Sequence, residues 1–114
     1  MTKQITTPEV KTKVDSGKKD YYLIDVLMQN SFEGKHIPTA INIPYETRFL
    51  KEFEAKVGAP KDAQIIVYCA SSGCQLSHMA ATDLEEAGYM NVYHYADGIA
   101  GWQNAGYEFE GQNK

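Results

Sequence analysis

Two cysteines, Cys69 and Cys74, are the residues of this 114-residue chain best suited to covalent chemistry. They lie in the stretch IIVYCASSGCQLSHMAATDLEEAGY, residues 65–89, between an apolar run and a segment that begins like a helix. Because the chain has only two cysteines and its first residues, MTKQITTPEV, lack the apolar stretch of a secretory signal, we expect reactive rather than structural thiols.

Cys69 is the predicted nucleophile. A cysteine reacts as the thiolate, and the pKa of a thiol falls near helix N-termini and near backbone N–H groups that point at the sulfur. Residues 70–73, ASSG, are small enough to curl their amides around Cys69, and a helix from about Ser77 would point its positive end there. The alternative is a buried, inert cysteine that ends a strand.

The segments around the cysteines predict a mostly parallel sheet. Runs rich in β-branched or aromatic residues are typical of strands, and the central ones are nearly continuously apolar, as in strands covered on both faces. The predicted strands are residues 3–6, 21–27, 40–44, 64–69 and 91–95. Cys69 ends the fourth of these and is therefore expected at the carboxyl edge of the sheet, where ligands bind in this class of fold.

Helical patterns alternate with these strands. Thr7 and Pro8 are predicted to begin a helix, as the N-cap and the first helical residue, and Gly17 to end it. Longer helices are predicted over residues 45–58 and 77–88, a short one over 98–106, and at most one turn over 31–35. In the helix predicted over residues 77–88, the inward positions are expected to be Met79, Ala80, Leu84 and Ala87.

The alternation of strands and helices predicts the fold class. Residues 1–114 are expected to form a single α/β domain, with right-handed crossovers and helices on both faces of the sheet. No apolar run is long enough to cross a bilayer, so we expect no membrane partner. Because the first residues lack an export signal and the chain has only two cysteines, we expect a cytoplasmic protein.

Charge is distributed unevenly along the chain, whose formal net charge is -4. No Lys or Arg occurs from residue 62 to residue 113, although this half holds both cysteines and seven Asp and Glu residues. An acidic half argues against nucleic acid as a partner. It is typical of a solvated surface, or else of a docking surface for a basic protein.

Three stretches of the chain resemble the single-domain rhodaneses. Residues 22–45, YLIDVLMQNSFEGKHIPTAINIPY, are similar to the family signature LIDVR…E-F…GHIPGAINIP. Residues 65–69, IIVYC, resemble the strand that leads to the catalytic cysteine, and residues 84–110 resemble the family ending, L-x-x-x-G-Y-x-N-V-…-G-G-I-x-x-W-x-x-A-G-Y-P. The resemblance covers roughly residues 5–110, with the motifs in family order.

This resemblance implies a five-stranded parallel α/β sheet and sulfur transfer through a persulfide on Cys69. It implies a sulfane-sulfur donor and a thiol or protein acceptor, with no metal and no organic cofactor. It also places Asp25 where an Asp braces nearby loops, a structural rather than catalytic role. The loop residues that would supply an amide cradle are Ala70, Ser71, Ser72, Gly73, Cys74 and Gln75.

The cysteine loop departs from the family pattern. The common loop, Cys-x-x-Gly-x-Arg-Ser, carries a basic residue that helps to bind thiosulfate, whereas residues 69–77 are two residues longer and contain no cation. The chain thus resembles a long-loop subset with a second cysteine, and we expect thiosulfate to be a weak donor. The absence of an arginine also argues against the related phosphatases. Elsewhere, Leu27 replaces the Arg of LIDVR, and Lys35 and Thr39 replace the glycines of GHIPGA.

Cys74 has two interpretations. As a resolving thiol, it would attack a persulfide or a sulfenic acid on Cys69 and form a disulfide, provided that the loop curls. Alternatively, it is only a small apolar loop residue, because spacing does not fix the direction of Cβ. Cys69, Cys74 and His78 do not match a usual zinc pattern, so no metal site is predicted and His78 is expected at the surface.

Three functions remain open from the sequence. The favoured one is a rhodanese-like sulfurtransferase that carries sulfur on Cys69. The alternatives are a thiol redox protein that cycles a Cys69–Cys74 disulfide, and a non-catalytic rhodanese-like binding module.

Overall fold

Five parallel strands form one sheet, in a computed structural model that describes residues 2–113. The strands are β1 (Lys3–Gln4), β2 (Tyr21–Asp25), β3 (Ile41–Asn42), β4 (Gln64–Tyr68) and β5 (Asn91–Tyr95). Their order in the sheet is β1-β5-β4-β2-β3, and the central strand, β4, is hydrogen-bonded to β2 on one side and to β5 on the other. The predicted fold class is confirmed.

Of the five helices in the described residues, four connect successive strands and the fifth follows the last strand, and together they cover both faces of the sheet. They are α1 (Thr7–Ser16), α2 (Gln29–Gly34), α3 (Phe49–Lys56), α4 (Leu76–Glu86) and α5 (Gly98–Asn104). Helices α1 and α5 contact each other on one face, and α3 and α4 contact each other on the other face. No helix in the described range is both long and apolar enough to cross a membrane.

The α1 N-terminus differs from the sequence prediction by one residue. The N-cap is Thr6, whose hydroxyl accepts a hydrogen bond from the Glu9 amide, while the Glu9 carboxylate accepts one from the Thr6 amide. This reciprocal capping box satisfies two N–H groups that a helix start otherwise leaves without partners.

Three further helix predictions need correction. Residues 29–34 form α2, which is longer than the single turn expected over 31–35, and the helix predicted to begin at residue 45 begins at Phe49. In α4, Met79 was predicted to face inward but is exposed; the buried face consists of Ser77, Ala80, Ala81 and Leu84.

The side chains of β4 alternate between two hydrophobic clusters. Ile65 and Val67 pack on the face covered by α3 and α4, whereas Ile66 and Tyr68 pack on the opposite face. All four are fully buried. Each such burial stabilises the fold by about 1.5–3 kcal/mol, so the position at which β4 ends is firmly fixed.

Helix α5 holds the chain at the end of β4. The Ile99 amide donates to the Cys69 carbonyl oxygen at 3.0 Å, and the Ala100 amide donates to the Ala70 carbonyl oxygen at 2.8 Å. This close approach requires a glycine at position 98, where φ is +55° and an added Cβ would overlap the Cys69 carbonyl oxygen.

We expect Gly98→Ala to lower the free energy of unfolding by more than about 3 kcal/mol, because it adds a steric clash to a left-handed backbone conformation. Gly17→Ala is the matched control, since Gly17 has φ +69° with nothing within 4 Å of an added Cβ. The control should lose only about 1 kcal/mol, the cost of the conformation alone. Urea unfolding of both variants measures the difference, and equal losses would contradict the close packing of α5 on Cys69.

Candidate active site

Cys69 directly follows β4, at the carboxyl edge of the sheet, as the sequence predicts. Its side chain continues the alternation of the strand and joins Ile65 and Val67 in the cluster under α3 and α4. Only 1% of the residue is exposed. The sulfur is therefore held between the end of the central strand and the start of α4, rather than on an open surface.

Cys69 and Cys74 form a disulfide, with their Cα atoms 6.4 Å apart. The loop reaches back because it turns at Ser71, whose carbonyl oxygen accepts a hydrogen bond from the Cys74 amide at 3.0 Å. The sequence left open whether the loop curls enough for this bond. In this oxidised state neither sulfur is a free thiol. His78, which the sequence placed at the surface, is exposed on α4.

Two buried polar side chains lie next to the Cys69 sulfur. The hydroxyl of Ser77, in the first turn of α4, is 3.1 Å from Cys69 Sγ and 2.7 Å from His94 Nε2. Ser77 is 1% exposed and His94 is 8% exposed. The three side chains thus form a continuous hydrogen-bonded row from β4 through α4 to β5.

The environment of His94 favours its neutral form. Burial lowers the pKa of His94, and repulsion from a protonated His78 lowers it further. The two imidazole rings are 6.0 Å apart, centroid to centroid. At neutral pH, His94 is therefore not a fixed cation beside the sulfur.

The loop above the sulfur contains amides without backbone partners. Within the described part of the chain, only the Cys74 amide of the predicted cradle donates to a backbone carbonyl group. The amides that do not are those of Ala70, Ser71, Ser72, Gly73 and Gln75. The first-turn N–H groups of α4 follow directly, and they lack intrahelical acceptors as in any helix. Amides of this kind and the start of a helix are groups that can hold negative charge when they point at it.

The grooves on the two sides of the loop differ in charge. One, of about 410 Å³, is lined by Leu27, Lys35, Ala70 and Ile99 among others. The other, of about 370 Å³, is lined by Thr7, Ser71, Ser72 and Asp97 among others. Lys35 therefore places a cation nearer the loop than the sequence indicated. Its ammonium group is already engaged elsewhere: Nζ donates to Gln103 Oε1 at 2.8 Å and lies 4.9 Å from the Phe109 ring centroid.

Asp25 lies at the end of β2, and its side chain is fully buried. Because Leu23 packs under α1 and α5, the alternation of the strand directs Asp25 to that face as well, opposite the Cys69 sulfur. Its Oδ1 accepts a hydrogen bond from the Leu27 amide at 2.9 Å. Burial raises the pKa of Asp25, which the hydrogen bond partly opposes. These contacts are those of a residue that braces the segment after β2.

Sequence reasoning did not identify Ser77 and His94 as neighbours of the sulfur. The available signal was the strand NVYHY, residues 91–95, in which Val92 and His94 share one face. A histidine on a face that must be buried needs a partner there. The sequence did not reveal that this partner is a hydroxyl that also contacts Cys69.

Comparisons with known proteins bear on the family to which the chain belongs. The rhodanese-like domain family matches residues 6–105. A thiosulfate:glutathione sulfurtransferase of Saccharomyces cerevisiae is 32% identical over 103 residues, which cover 79% of this chain and 71% of that protein. The crystal structure of a thiosulfate sulfurtransferase from Pseudomonas aeruginosa superimposes with a TM-score of 0.83 at 29% identity, covering 96% of this chain and 20% of that one.

Some relatives are much longer than this chain. The adenylyltransferase and sulfurtransferase UBA4 of Candida albicans is 31% identical over 102 residues, which cover 86% of this chain but only 23% of that protein. The match to the family extends over most of the sequence and includes β2 to β5, the cysteine loop and α5. The chain belongs to the rhodanese-like domain family.

Proposed function

We propose that this protein is a sulfurtransferase that carries sulfane sulfur as a persulfide on Cys69. First, the Cys69 thiolate attacks the outer sulfur of a donor R–S–S⁻, the donor S–S bond breaks, and R–S⁻ leaves with the electron pair. An acceptor thiolate then attacks the outer sulfur of the Cys69 persulfide, and the Cys69 thiolate leaves. Both steps are displacements at sulfur, so they need neither a metal nor an organic cofactor.

The position of Cys69 is the observation that carries this proposal. Its sulfur lies at the carboxyl edge of a parallel sheet, 3.1 Å from the Ser77 hydroxyl. The following loop has amides without backbone partners, which are suited to a thiolate or a persulfide anion. The sulfurtransferase names of its relatives support the same chemistry.

The disulfide favours a second role for Cys74, as the resolving thiol. The Cys74 thiolate would attack the inner sulfur of a Cys69 persulfide, form the Cys69–Cys74 bond and release HS⁻. A reducing thiol would then restore both cysteines, which suits a cytoplasmic protein. The same bond is the observation that supports the alternative function, a thiol redox protein.

The electrostatics of the site favour some donors over others. Asp97 lines the groove beside Ser71 and Ser72, and residues 62–113 contain no Lys or Arg. A thiosulfate dianion meets this negative charge within about one Debye length of 8–10 Å. We therefore propose that a neutral polysulfide or a protein persulfide is the better donor, and that a basic protein gains from the acidic half.

Intact mass spectrometry tests which cysteine carries the sulfur. After reduction and treatment with a polysulfide donor, Cys74→Ser should gain one sulfur, whereas Cys69→Ser should gain none; the parent should gain one sulfur first and lose two hydrogens once Cys74 resolves the persulfide. A parent that loses two hydrogens while Cys74→Ser gains no sulfur would instead be a thiol redox protein, and no change in either would indicate a binding module. Loading that survives in Cys69→Ser contradicts the proposal.

The fate of the loaded protein without an acceptor tests the role of Cys74. The parent should release sulfide while the Cys69–Cys74 disulfide forms, because the resolving thiol is in the same loop. Cys74→Ser has no such thiol and should hold its persulfide about tenfold longer or more, as expected when an intramolecular attack is removed. Electrophoresis after thiol alkylation follows the disulfide, and equal persulfide lifetimes would show that Cys74 is a loop residue only.

Steady-state kinetics with thiosulfate test the electrostatic argument. We expect a high KM that falls as salt rises, because salt screens repulsion between the dianion and the acidic groups. Asp97→Asn should lower the KM about twofold. Asp62→Asn is the matched control, since Asp62 precedes β4 at the opposite edge of the sheet, and it should leave the KM unchanged. A KM that rises with salt would mean that a cation, such as Lys35, dominates binding.

A further inference from the structure

We propose that His94, acting through Ser77, accepts the proton of the Cys69 thiol and so holds this sulfur as a thiolate. The proposal rests on the proposed function, in which Cys69 is the nucleophile, and it adds two residues to the machinery. Ser77 contacts the reacting sulfur, whereas His94 is a positioning residue that acts through the serine.

The geometry is a row of three polar atoms in a buried site. Cys69 Sγ and Ser77 Oγ are 3.1 Å apart, and Ser77 Oγ and His94 Nε2 are 2.7 Å apart. The atoms come from three elements, the end of β4, the first turn of α4 and the fourth residue of β5. Since β4 and β5 pair in register and α4 packs on both, the row is part of the rigid core.

The row provides a route for one proton. In the reduced protein, the Cys69 S–H donates to Ser77 Oγ, and the Ser77 O–H donates to neutral His94 Nε2. When the serine passes its proton to Nε2 and takes the proton of the thiol, one proton has moved from sulfur to imidazole. The products are a thiolate that accepts from the Ser77 hydroxyl and an imidazolium that donates to the same oxygen. No electron is transferred.

The groups that face His94 set the balance of this proton transfer. Cys69 faces it from the end of β4 by way of Ser77, and His78 faces it from α4. On its other side in the sheet, His94 pairs in register with Gln4 of β1, which carries no charge. Burial and His78 lower the pKa of His94 and so oppose the imidazolium. The negative sulfur, held two hydrogen bonds away, favours the imidazolium and must offset both effects.

A purely structural role for the same atoms makes a different prediction. Ser77 and His94 also satisfy each other as buried polar groups, and their loss would then cost stability alone. If the pair is only structural, its removal should change activity by the same factor at every pH. If it accepts the thiol proton, its removal should lower activity only at those pH values at which the thiol of the variant is still protonated. The pH dependence therefore separates the two roles.

The first experiment measures thiolate formation in the Cys74→Ser background, in which Cys69 is the only thiol. Thiolate ultraviolet absorbance is followed against pH for His94→Gln, Ser77→Ala and Ser77→Thr. The control is Thr82→Ala, because the Thr82 hydroxyl, also on α4, donates to the His78 carbonyl oxygen and not to the site. In His94→Gln and Ser77→Ala, we expect the pH at which half of Cys69 is thiolate to rise by about one unit. In Ser77→Thr and Thr82→Ala, this midpoint should stay near that of the Cys74→Ser protein.

Sulfur loading of the same variants follows from this shift. At neutral pH, His94→Gln and Ser77→Ala should load about tenfold more slowly than the parent, and above the shifted midpoint their rates should converge with it. An unchanged midpoint, or a deficit that persists at high pH, would overturn the proposal. A shifted midpoint without any sulfur loading would support the row of Ser77 and His94 while contradicting the proposed function.

A measurement in otherwise intact protein covers the case in which substitution of Ser77 or His94 prevents folding. The NMR titration of the His94 imidazole is compared between reduced protein and Cys69→Ser. We expect His94 to hold its proton to a higher pH when Cys69 is present as a thiolate, because the two titrations are coupled. Identical His94 titrations in the two proteins would overturn the proposal.

Discussion

The site depends on the burial of β4 and on the hydrogen bonds that hold its carboxyl end. This strand is paired on both sides, by β2 and β5, and its side chains fill both hydrophobic clusters. Helix α5 binds the carbonyl groups of Cys69 and Ala70, and the Ser77 hydroxyl contacts the Cys69 sulfur. The backbone of Cys69 is therefore fixed from one face of the sheet and its side chain from the other.

The same arrangement relates two states of the sulfur. In the disulfide, the Cys69 sulfur is bonded to Cys74 and cannot act as a nucleophile. On attack of a thiol at Cys74, Cys69 would leave as a thiolate that is already next to the Ser77 hydroxyl. The oxidised state would thus give directly the thiolate that the proposed sulfur transfer requires.

The sequence predicted the parts of the molecule that local patterns specify. Apolar runs and helix ends were sufficient for the sheet and for Cys69 at its carboxyl edge, and the resemblance of three stretches to known motifs was sufficient for the family. Capping at Thr6, by contrast, depended on a reciprocal bond with Glu9. Thr39 replaces a family glycine and still adopts φ +75°, so the turn keeps its left-handed shape with a β-branched residue. The row from Cys69 to His94 was missed because it joins positions 69, 77 and 94, which only the packing of α4 on β4 and β5 brings together.

A single-turnover experiment tests the central claim, that Cys69 carries sulfur between donor and acceptor, most directly. Reduced Cys74→Ser is loaded with a polysulfide donor, freed from that donor by gel filtration, and mixed with a small thiol acceptor. The account predicts that the acceptor gains one sulfur per protein chain while the protein returns to its unloaded mass. A loaded protein that gives no sulfur to the acceptor, or an acceptor that gains sulfur only while free donor is present, would contradict it.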